Sequence, residues 1–258
     1  MQNILDNYAH SNALRNINPK FKVLFALLTL IICIVSTSPI IPLLVALIVS
    51  SIIIFKAKIP AKFYFKLLSI PVAFALITFF FMTLFFGMTE PWFNLGIFNF
   101  VVYKDGFNLG FLVFSRILGA FTCLSFLSLT TPMNDIFSIL ESMKIPKVVV
   151  EISMLMYRYI FVFLEEIQNM HHAQQTRMGY SNLKNSFKSS GLLISNLFIR
   201  TWIRGEQIYI TMESRCYGGS IRTFQIQKSI GIKNIMLLIS FESILLVGTY
   251  LTWGLNVI

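Results

Sequence analysis

Two arginines occupy similar stretches near the ends of two long predicted helices. Arg177 lies in AQQTRMGY and Arg215 in MESRCYGG, and Gly179 and Gly218 follow shortly behind them. A guanidinium group can form two parallel hydrogen bonds with a carboxylate. A cation in the last turn of a helix also interacts favourably with the helix dipole, and glycine suits the left-handed residue that closes a helix. The pattern therefore fits either paired binding of acidic residues or ordinary helix capping.

The other reactive residue types form no catalytic or metal-binding pattern. His171 and His172 are adjacent, so on a helix they point about 100° apart and do not share one face. The Glu165–Glu166 pair has no nucleophile or metal cluster beside it in the sequence. Three cysteines are far apart in the sequence, at Cys33, Cys123 and Cys216. We expect no catalytic residue and no metal ligand in this chain.

Composition places the chain in a membrane. Of its 258 residues, 56% are hydrophobic and 12% are charged, whereas soluble domains carry about 25% charged residues. Residues 1–20 are polar and lack the apolar centre of a signal peptide, so we expect no cleaved leader. The net charge of the chain is +10, and in a membrane protein such an excess of lysine and arginine marks the cytoplasmic loops. We expect membrane lipids as partners and no nucleic acid.

Hydropathy predicts an all-α polytopic membrane protein with about five transmembrane helices and long cytoplasmic coupling helices. The predicted spans are 21–38, 39–55, 67–87, 107–130 and 232–258. Four lysines between residues 56 and 66 and the net-acidic 88–106 connection indicate a cell-membrane protein with a cytoplasmic N-terminus. The predicted domains are an N-terminal membrane part (1–131), a coupling-helix region (132–230) and a C-terminal transmembrane helix (231–258).

The coupling-helix region carries two long predicted helices, at about 148–180 and 187–219. Glu151 and Arg158 interrupt the apolar start of the first, and each would cost roughly 2.5 to 3.5 kcal/mol at a bilayer centre. We therefore interpret this segment as a helix packed against the membrane bundle. No internal core is evident for these helices, which indicates a protein partner.

Arg116 lies inside the fourth predicted span. Intramembrane charges usually face a bundle interior or a cavity, so we expect Arg116 to face protein, and snorkelling to one interface is the alternative. Small residues recur four apart at Gly106–Gly110 and Ser115–Gly119, which favours close contact between helices.

Several of these stretches together resemble a known family. The entrance ALRNINPKFK, the helix LMYRYIFVFLEEIQNMHHAQQTR and the two arginine turns resemble the transmembrane (T) component of energy-coupling factor (ECF) ABC transporters. The resemblance runs from about residue 5 to 220, and LDNYAHSNALRNINPKFK is similar to the cobalt-type, or CbiQ-type, branch. In that family two Ala-Arg-Gly motifs close the coupling helices, and their arginines contact two ATPase subunits. The matching triplets here, Thr176-Arg177-Met178 and Ser214-Arg215-Cys216, keep the arginine but not the flanking alanine and glycine.

The resemblance implies a non-catalytic scaffold. It would join two ATP-binding cassette ATPase subunits, which bind ATP-Mg, to a substrate-binding membrane (S) subunit for uptake of cobalt or nickel. It implies ATPase coupling through Arg177, Arg215, Gly179 and Gly218, and no cofactor on this chain. The sequence has no GxxxxGK[ST] pattern, so ATP must be bound by another chain.

Two alternatives stay open at this point. One is a vitamin-type importer of the same family. The other is a membrane-embedded enzyme that uses Arg116 and the basic helices to hold an anionic lipid, and it predicts turnover by the isolated chain.

Overall fold

The chain is almost entirely helical over the residues that the computed structural model describes, which are 2–86, 91–94, 101–143, 145–219 and 231–252. The helices are α1 (Gln2–Ser11), α2 (Pro19–Val35), α3 (Ile40–Ser51), α4 (Ala61–Phe85), α5 (Lys104–Thr130), α6 (Met133–Ser142), α7 (Lys147–Thr176), α8 (Leu183–Glu213) and α9 (Ile232–Leu251). A 3-10 turn (Ala13–Asn16) precedes α2 and a π turn (Ile52–Lys56) follows α3. Two short strands, β1 (Pro91–Asn94) and β2 (Val101–Tyr103), pair antiparallel. The predicted all-α polytopic membrane fold is confirmed, with this strand pair as an addition.

Each of the five predicted spans coincides with a helix. Three helical segments are long and apolar enough to cross a membrane, namely Ala61–Phe85, Lys104–Thr130 and Asn234–Leu251. Helix α2 has 17 residues, and α3 adds its 12 residues to the 5 of the π turn. These lengths are at the short end of what spans a bilayer, about 17 to 25 residues. The count of five spans stays a prediction.

Helix α4 begins at Ala61, six residues before the predicted start of the third span at residue 67. The reason is packing in its first turn, because the Tyr64 side chain is buried and its hydroxyl shares a 2.6 Å hydrogen bond with Ser50 Oγ. Lys62 and Lys66 therefore belong to the helix and not to a loop.

The chain divides into two compact units, residues 1–136 with 226–258, and residues 137–225. The predicted domain boundary at residue 230 falls in 220–230, which lies outside the described residues. The last residues of the final predicted span, 253–258, also lie outside them. The assignment of residues 132–230 to the cytoplasm stays a prediction.

Glycines set the helix spacing in the first unit. A Cβ on Gly119 would lie 2.9 Å from the Pro42 carbonyl oxygen of α3, and one on Gly106 would lie 2.6 Å from the Phe86 carbonyl oxygen. Ser115 is also fully buried. The close contacts predicted from the small-residue spacing are confirmed. Next to them, Phe25 of α2 packs against Phe126 of α5 and Phe241 of α9, with both ring centroids at 5.5 Å.

The entrance to the first span has a capping role that the sequence did not reveal. Lys22 is 2% exposed, and its Nζ donates a 2.7 Å hydrogen bond to the carbonyl oxygen of Thr130 at the end of α5. Asn12 Nδ2 donates to the carbonyl oxygens of Leu129 and Thr130, both at 3.3 Å. The last carbonyls of a helix have no partner within the helix, so these two side chains fix the C-terminal end of α5.

Candidate functional site

The second unit is organised around an antiparallel pair of helices, α7 and α8. Contacts at three levels hold the pair together along its length. Ser189 Oγ donates to the Gly179 carbonyl oxygen at 2.8 Å near the end of α7. Further back, Arg200 pairs with Glu166 at 2.6 Å. At the other end, the Tyr217 hydroxyl donates to Glu151 Oε2 at 2.6 Å.

The turn after α7 places Arg177 at the residue that caps the helix. Met178 adopts the left-handed conformation, with φ 58°. Its N–H donates to the Gln175 carbonyl oxygen at 3.1 Å, and the Gly179 N–H donates to that of Gln174 at 2.9 Å. This pair of bonds is the Schellman closure of a helix.

The turn after α8 repeats the same pattern around Arg215. Cys216 has φ 58°. Its N–H donates to the Glu213 carbonyl oxygen at 3.0 Å, and the Tyr217 N–H donates to that of Met212 at 3.1 Å. Arg177 and Arg215 therefore occupy the same position in two matching turns.

The left-handed residue that closes each helix is not a glycine, although the sequence pointed to Gly179 for the first helix and to Gly218 or Gly219 for the second. In the first turn Met178, with φ 58°, takes this position. In the second turn this position belongs to Cys216, and Gly219, with φ 82°, is a further left-handed residue beyond it. Met178 and Cys216 are the third residues of the two arginine triplets. They adopt a conformation that glycine adopts without steric cost.

The two guanidinium groups are available to a partner. Arg177 and Arg215 are both exposed. Within the described parts of the chain, neither guanidinium group forms a hydrogen bond or an ion pair. Ser189, beside the first turn, and Arg215 are separated by roughly 25 residues of helix and hence by roughly 40 Å. The turns lie at opposite ends of the helix pair.

The two glycines behind the arginines differ in their surroundings. A Cβ on Gly179 would lie 2.7 Å from Ser189 Oγ and 2.9 Å from the Gln174 carbonyl oxygen, whereas nothing lies within 4 Å of a Cβ on Gly218. The crowded turn is also held by Gln174, whose Nε2 donates to the Ser189 carbonyl oxygen at 3.1 Å and whose Oε1 accepts from the Tyr180 hydroxyl at 2.7 Å. Only the first glycine is needed for close packing.

A cavity of about 590 Å³ adjoins the Arg177 turn. Its lining residues are Met170, Ala173, Gln174, Arg177, Met178, Gly179, Asn185, Lys188, Ser189, Leu192, Asn196 and Arg200. The lining has three cations and no carboxylate, and one of these cations, Arg200, is already paired with Glu166. The cavity is chemically suited to an acidic side chain.

The second turn is tied back to α7 by Tyr217. Its partner Glu151 is 8% exposed. The hydrogen bond to Glu151 raises the pKa of Tyr217, because it stabilises the protonated phenol. The sequence interpretation treated Glu151 only as an interruption of an apolar segment, and the structure shows that it holds the Arg215 turn in place.

Arg116 lies in the first unit and has a separate role. It is half-buried, and its Nε and Nη2 both donate to the carbonyl oxygen of Ser36, at 3.1 Å and 2.7 Å. Ser36 is buried at the end of α2. Arg116 therefore caps the C-terminal end of α2, and whether it faces the bundle interior or snorkels to one interface stays a prediction.

Replacing Arg116 with leucine should destabilise the first unit, because the buried Ser36 carbonyl oxygen would lose both of its donors. An unsatisfied buried polar group costs about 1 to 3 kcal/mol. We expect a lower thermal unfolding temperature in mild detergent, measured by loss of the monodisperse peak in size-exclusion chromatography. Arg158→Leu, which removes an exposed arginine of α7, is the control. Equal unfolding temperatures for the two variants would contradict the capping role.

Metal ligands are not grouped in the described parts of the chain, where no three His, Cys, Asp or Glu side chains are placed to hold an ion. Cys33 and Cys123 are buried thiols and Cys216 is an exposed one. Sequence reasoning overlooked Glu242 of α9. It is 6% exposed, and both its carboxylate oxygens lack a hydrogen-bond partner within the described structure. Its position inside an apolar span was the available signal.

Comparison with known proteins identifies the family. Residues 10–226 match the family model of the CbiQ cobalt transport protein. The chain is 46% identical over 252 residues to the uncharacterized protein MJ1089 of Methanocaldococcus jannaschii, covering 97% of this chain and 94% of that protein. It is 40% identical over 221 residues to a fused cobalt transport protein, CbiMQ, of Methanocorpusculum labreanum, covering 84% of this chain and 37% of that protein. It is 31% identical over 106 residues to the cobalt transport protein CbiQ of Salmonella typhimurium, covering 41% of this chain and 47% of that protein. The resemblance seen in the sequence is thus confirmed, and the chain belongs to the CbiQ family of cobalt transport proteins, as a membrane component of cobalt transport.

Proposed function

We propose that this chain is the coupling subunit of an ECF-type ABC importer for cobalt, with nickel as the second candidate cargo. It is not itself catalytic in this proposal. ATP-Mg is bound and hydrolysed by two partner ATPases, and this chain transmits their movement to a substrate-binding membrane subunit. The observation that carries the proposal is the pair of matching turns that present Arg177 and Arg215 at opposite ends of one helix pair.

The geometry of the two turns favours two ATPase contacts. The two arginine turns lie at opposite ends of a helix pair roughly 40 Å long, too far apart to hold one carboxylate, so each arginine is free to bind an acidic residue on a different subunit. Arginine suits this task because its planar fork can form two charge-assisted hydrogen bonds with a carboxylate. The cavity beside Arg177 adds Lys188 to the first contact.

An apolar face of α8 fits a membrane partner. Successive helical residues are rotated by about 100°, so five large exposed side chains spread over about six turns share a face opposite Arg200, which pairs with Glu166 of α7. They are Phe187, Ile194, Phe198, Trp202 and Tyr209. A large exposed apolar surface marks an interaction site. We assign this apolar face to contact with the substrate-binding subunit. The fused relative CbiMQ supports an assembly with a second subunit, because the segment that matches this chain makes up only 37% of that cobalt transport protein.

Uptake of radioactive cobalt tests this function. Cells that lack their own cobalt uptake would express the chain with candidate ATPases and a candidate substrate-binding subunit from the same organism. We expect ATP-dependent accumulation that requires every subunit, with added nickel as a competitor. Mass spectrometry of the complex in mild detergent should find both ATPases. Uptake that persists without the ATPases, or turnover of a lipid by the isolated chain, would contradict the proposal.

The proposed orientation in the cell membrane puts the N-terminus in the cytoplasm. It rests on the exposed lysines of residues 56–66 and the acidic 88–106 connection. In a Cys216→Ser background, Lys62→Cys should resist an impermeant thiol reagent in intact cells, and Asp105→Cys should react. The reverse pattern would contradict this orientation.

A further inference from the structure

Four lysines lie within eleven residues of the first unit, around the turn between α3 and α4. The lysine patch consists of Lys56, Lys58, Lys62 and Lys66, all of them exposed. Within the described residues, none of the four forms an ion pair or a hydrogen bond through its side chain. The chain has no Asp or Glu between Asp6 and Glu90. The patch therefore lacks a counter-charge in its own sequence neighbourhood.

The backbone beneath the patch is held firmly. Ala57 and Ile59 are buried, and between them Lys58 takes the left-handed conformation, with φ 57°. The Ala57 N–H donates to the Ile52 carbonyl oxygen at 3.0 Å. On the following helix, the Phe63 ring lies 4.8 Å from that of Tyr8, measured between centroids. The lysines thus project from a preformed turn.

Exposed apolar side chains stand directly beside these lysines. Phe55 is 79% exposed, Phe65 is 59% exposed and Ile70 is 72% exposed. Phe65 and Ile70 belong to α4, one of the helices long and apolar enough to cross a membrane. Lysines beside exposed phenylalanine and aliphatic side chains are typical of surfaces that contact the membrane interface. A free phosphate ion would contact only the lysines, whereas a phospholipid would contact both groups.

We propose that the lysine patch binds the headgroups of anionic phospholipids, while Phe55 and Phe65 contact the upper part of their acyl chains. A basic cluster at the edge of a transmembrane helix attracts anionic lipids, and each lysine near the headgroups strengthens binding roughly fivefold. This surface is independent of the arginine turns, and its test requires no ATPase.

Quenching of a local tryptophan by brominated lipid tests the patch. Phe65→Trp would report on lipid beside the lysines once Trp92, Trp202 and Trp253 are replaced with phenylalanine. Phe85→Trp, at the other end of α4 and 62% exposed, is the matched reporter. The full chain would be reconstituted in mixtures of phosphatidylglycerol and phosphatidylcholine, with either lipid brominated.

We expect a several-fold preference for phosphatidylglycerol at the Phe65 reporter and a weaker one or none at the Phe85 reporter. Lys62→Gln with Lys66→Gln should remove most of that preference, whereas Lys147→Gln with Lys184→Gln, two exposed lysines of the second unit, should leave it unchanged. An unchanged preference in the first double variant would overturn the proposal. So would its loss on adding inorganic phosphate at an ionic strength matched with sodium chloride, because the site would then bind free phosphate.

Discussion

Replacing both Arg177 and Arg215 with alanine should release the ATPases from the complex. A hydrogen bond to a charged group contributes about 1.5 to 3 kcal/mol. Loss of one such bond at each turn would weaken binding by roughly 10² to 10⁴-fold, and the partner carboxylates left without a cation would add to the loss. Lysine should restore binding only in part, because an ammonium group cannot reproduce the planar fork.

Copurification of the ATPases and cobalt uptake measure this effect. The single variants should lower both, and the double variant more. Arg204→Ala, which removes an exposed arginine of the same helix α8, is the control. If the arginines only cap their helices, the changes should cost about 0.3 to 1 kcal/mol of stability and leave the ATPases bound. A double variant that is produced normally and still holds the ATPases would show that the docking role is wrong.

Adding one methyl group at Gly179 should disrupt the first turn, and the same change at Gly218 should be tolerated. In Gly179→Ala the new Cβ would lie 2.7 Å from Ser189 Oγ and 2.9 Å from a backbone oxygen, and at Gly218 it would meet no atom within 4 Å. Overpacking of this kind costs about 1 to 3 kcal/mol. The Arg177 side chain would move with its turn.

The two glycine variants are compared by ATPase copurification and by thermal unfolding in mild detergent. Gly179→Ala should lower ATPase copurification and thermal stability, and Gly218→Ala should resemble the unmodified chain. Ser189→Ala combined with Gly179→Ala should recover part of the loss, because it removes the nearer of the two clashing atoms. Equal behaviour of the two glycine variants would contradict the packing that the structure shows around Gly179.

Hydropathy predicted the helices but not all of their ends. Long apolar runs have few alternatives to a helix in a membrane, so each predicted span coincides with a helix. The predicted third span began at residue 67, after Lys62 and Lys66, but α4 begins at Ala61 and includes both lysines, and its first turn is anchored by the buried Tyr64. Charge alone does not distinguish a loop from the first turn of a helix.

The positions of the arginines were predictable, and their surroundings were not. Matching sequence patterns placed Arg177 and Arg215 at helix ends. The patterns drew attention to glycine, however, because glycine is the usual left-handed residue, and a left-handed Met178 or Cys216 has no signature in sequence. The contact between Glu151 and Tyr217 joins residues 66 positions apart. Such a contact depends on the antiparallel pairing of α7 and α8.

In the proposed complex, in which each arginine turn docks one ATPase, the separation of the turns has a consequence for how the complex stays together. Once one ATPase of a mutually bound pair has docked, its neighbour is confined near the second turn, and its binding becomes intramolecular. Such avidity can exceed the affinity of either contact by about 10² to 10⁴-fold with no additional contact. Each turn can therefore bind weakly and release its ATPase during a hydrolytic cycle while the other keeps the pair attached.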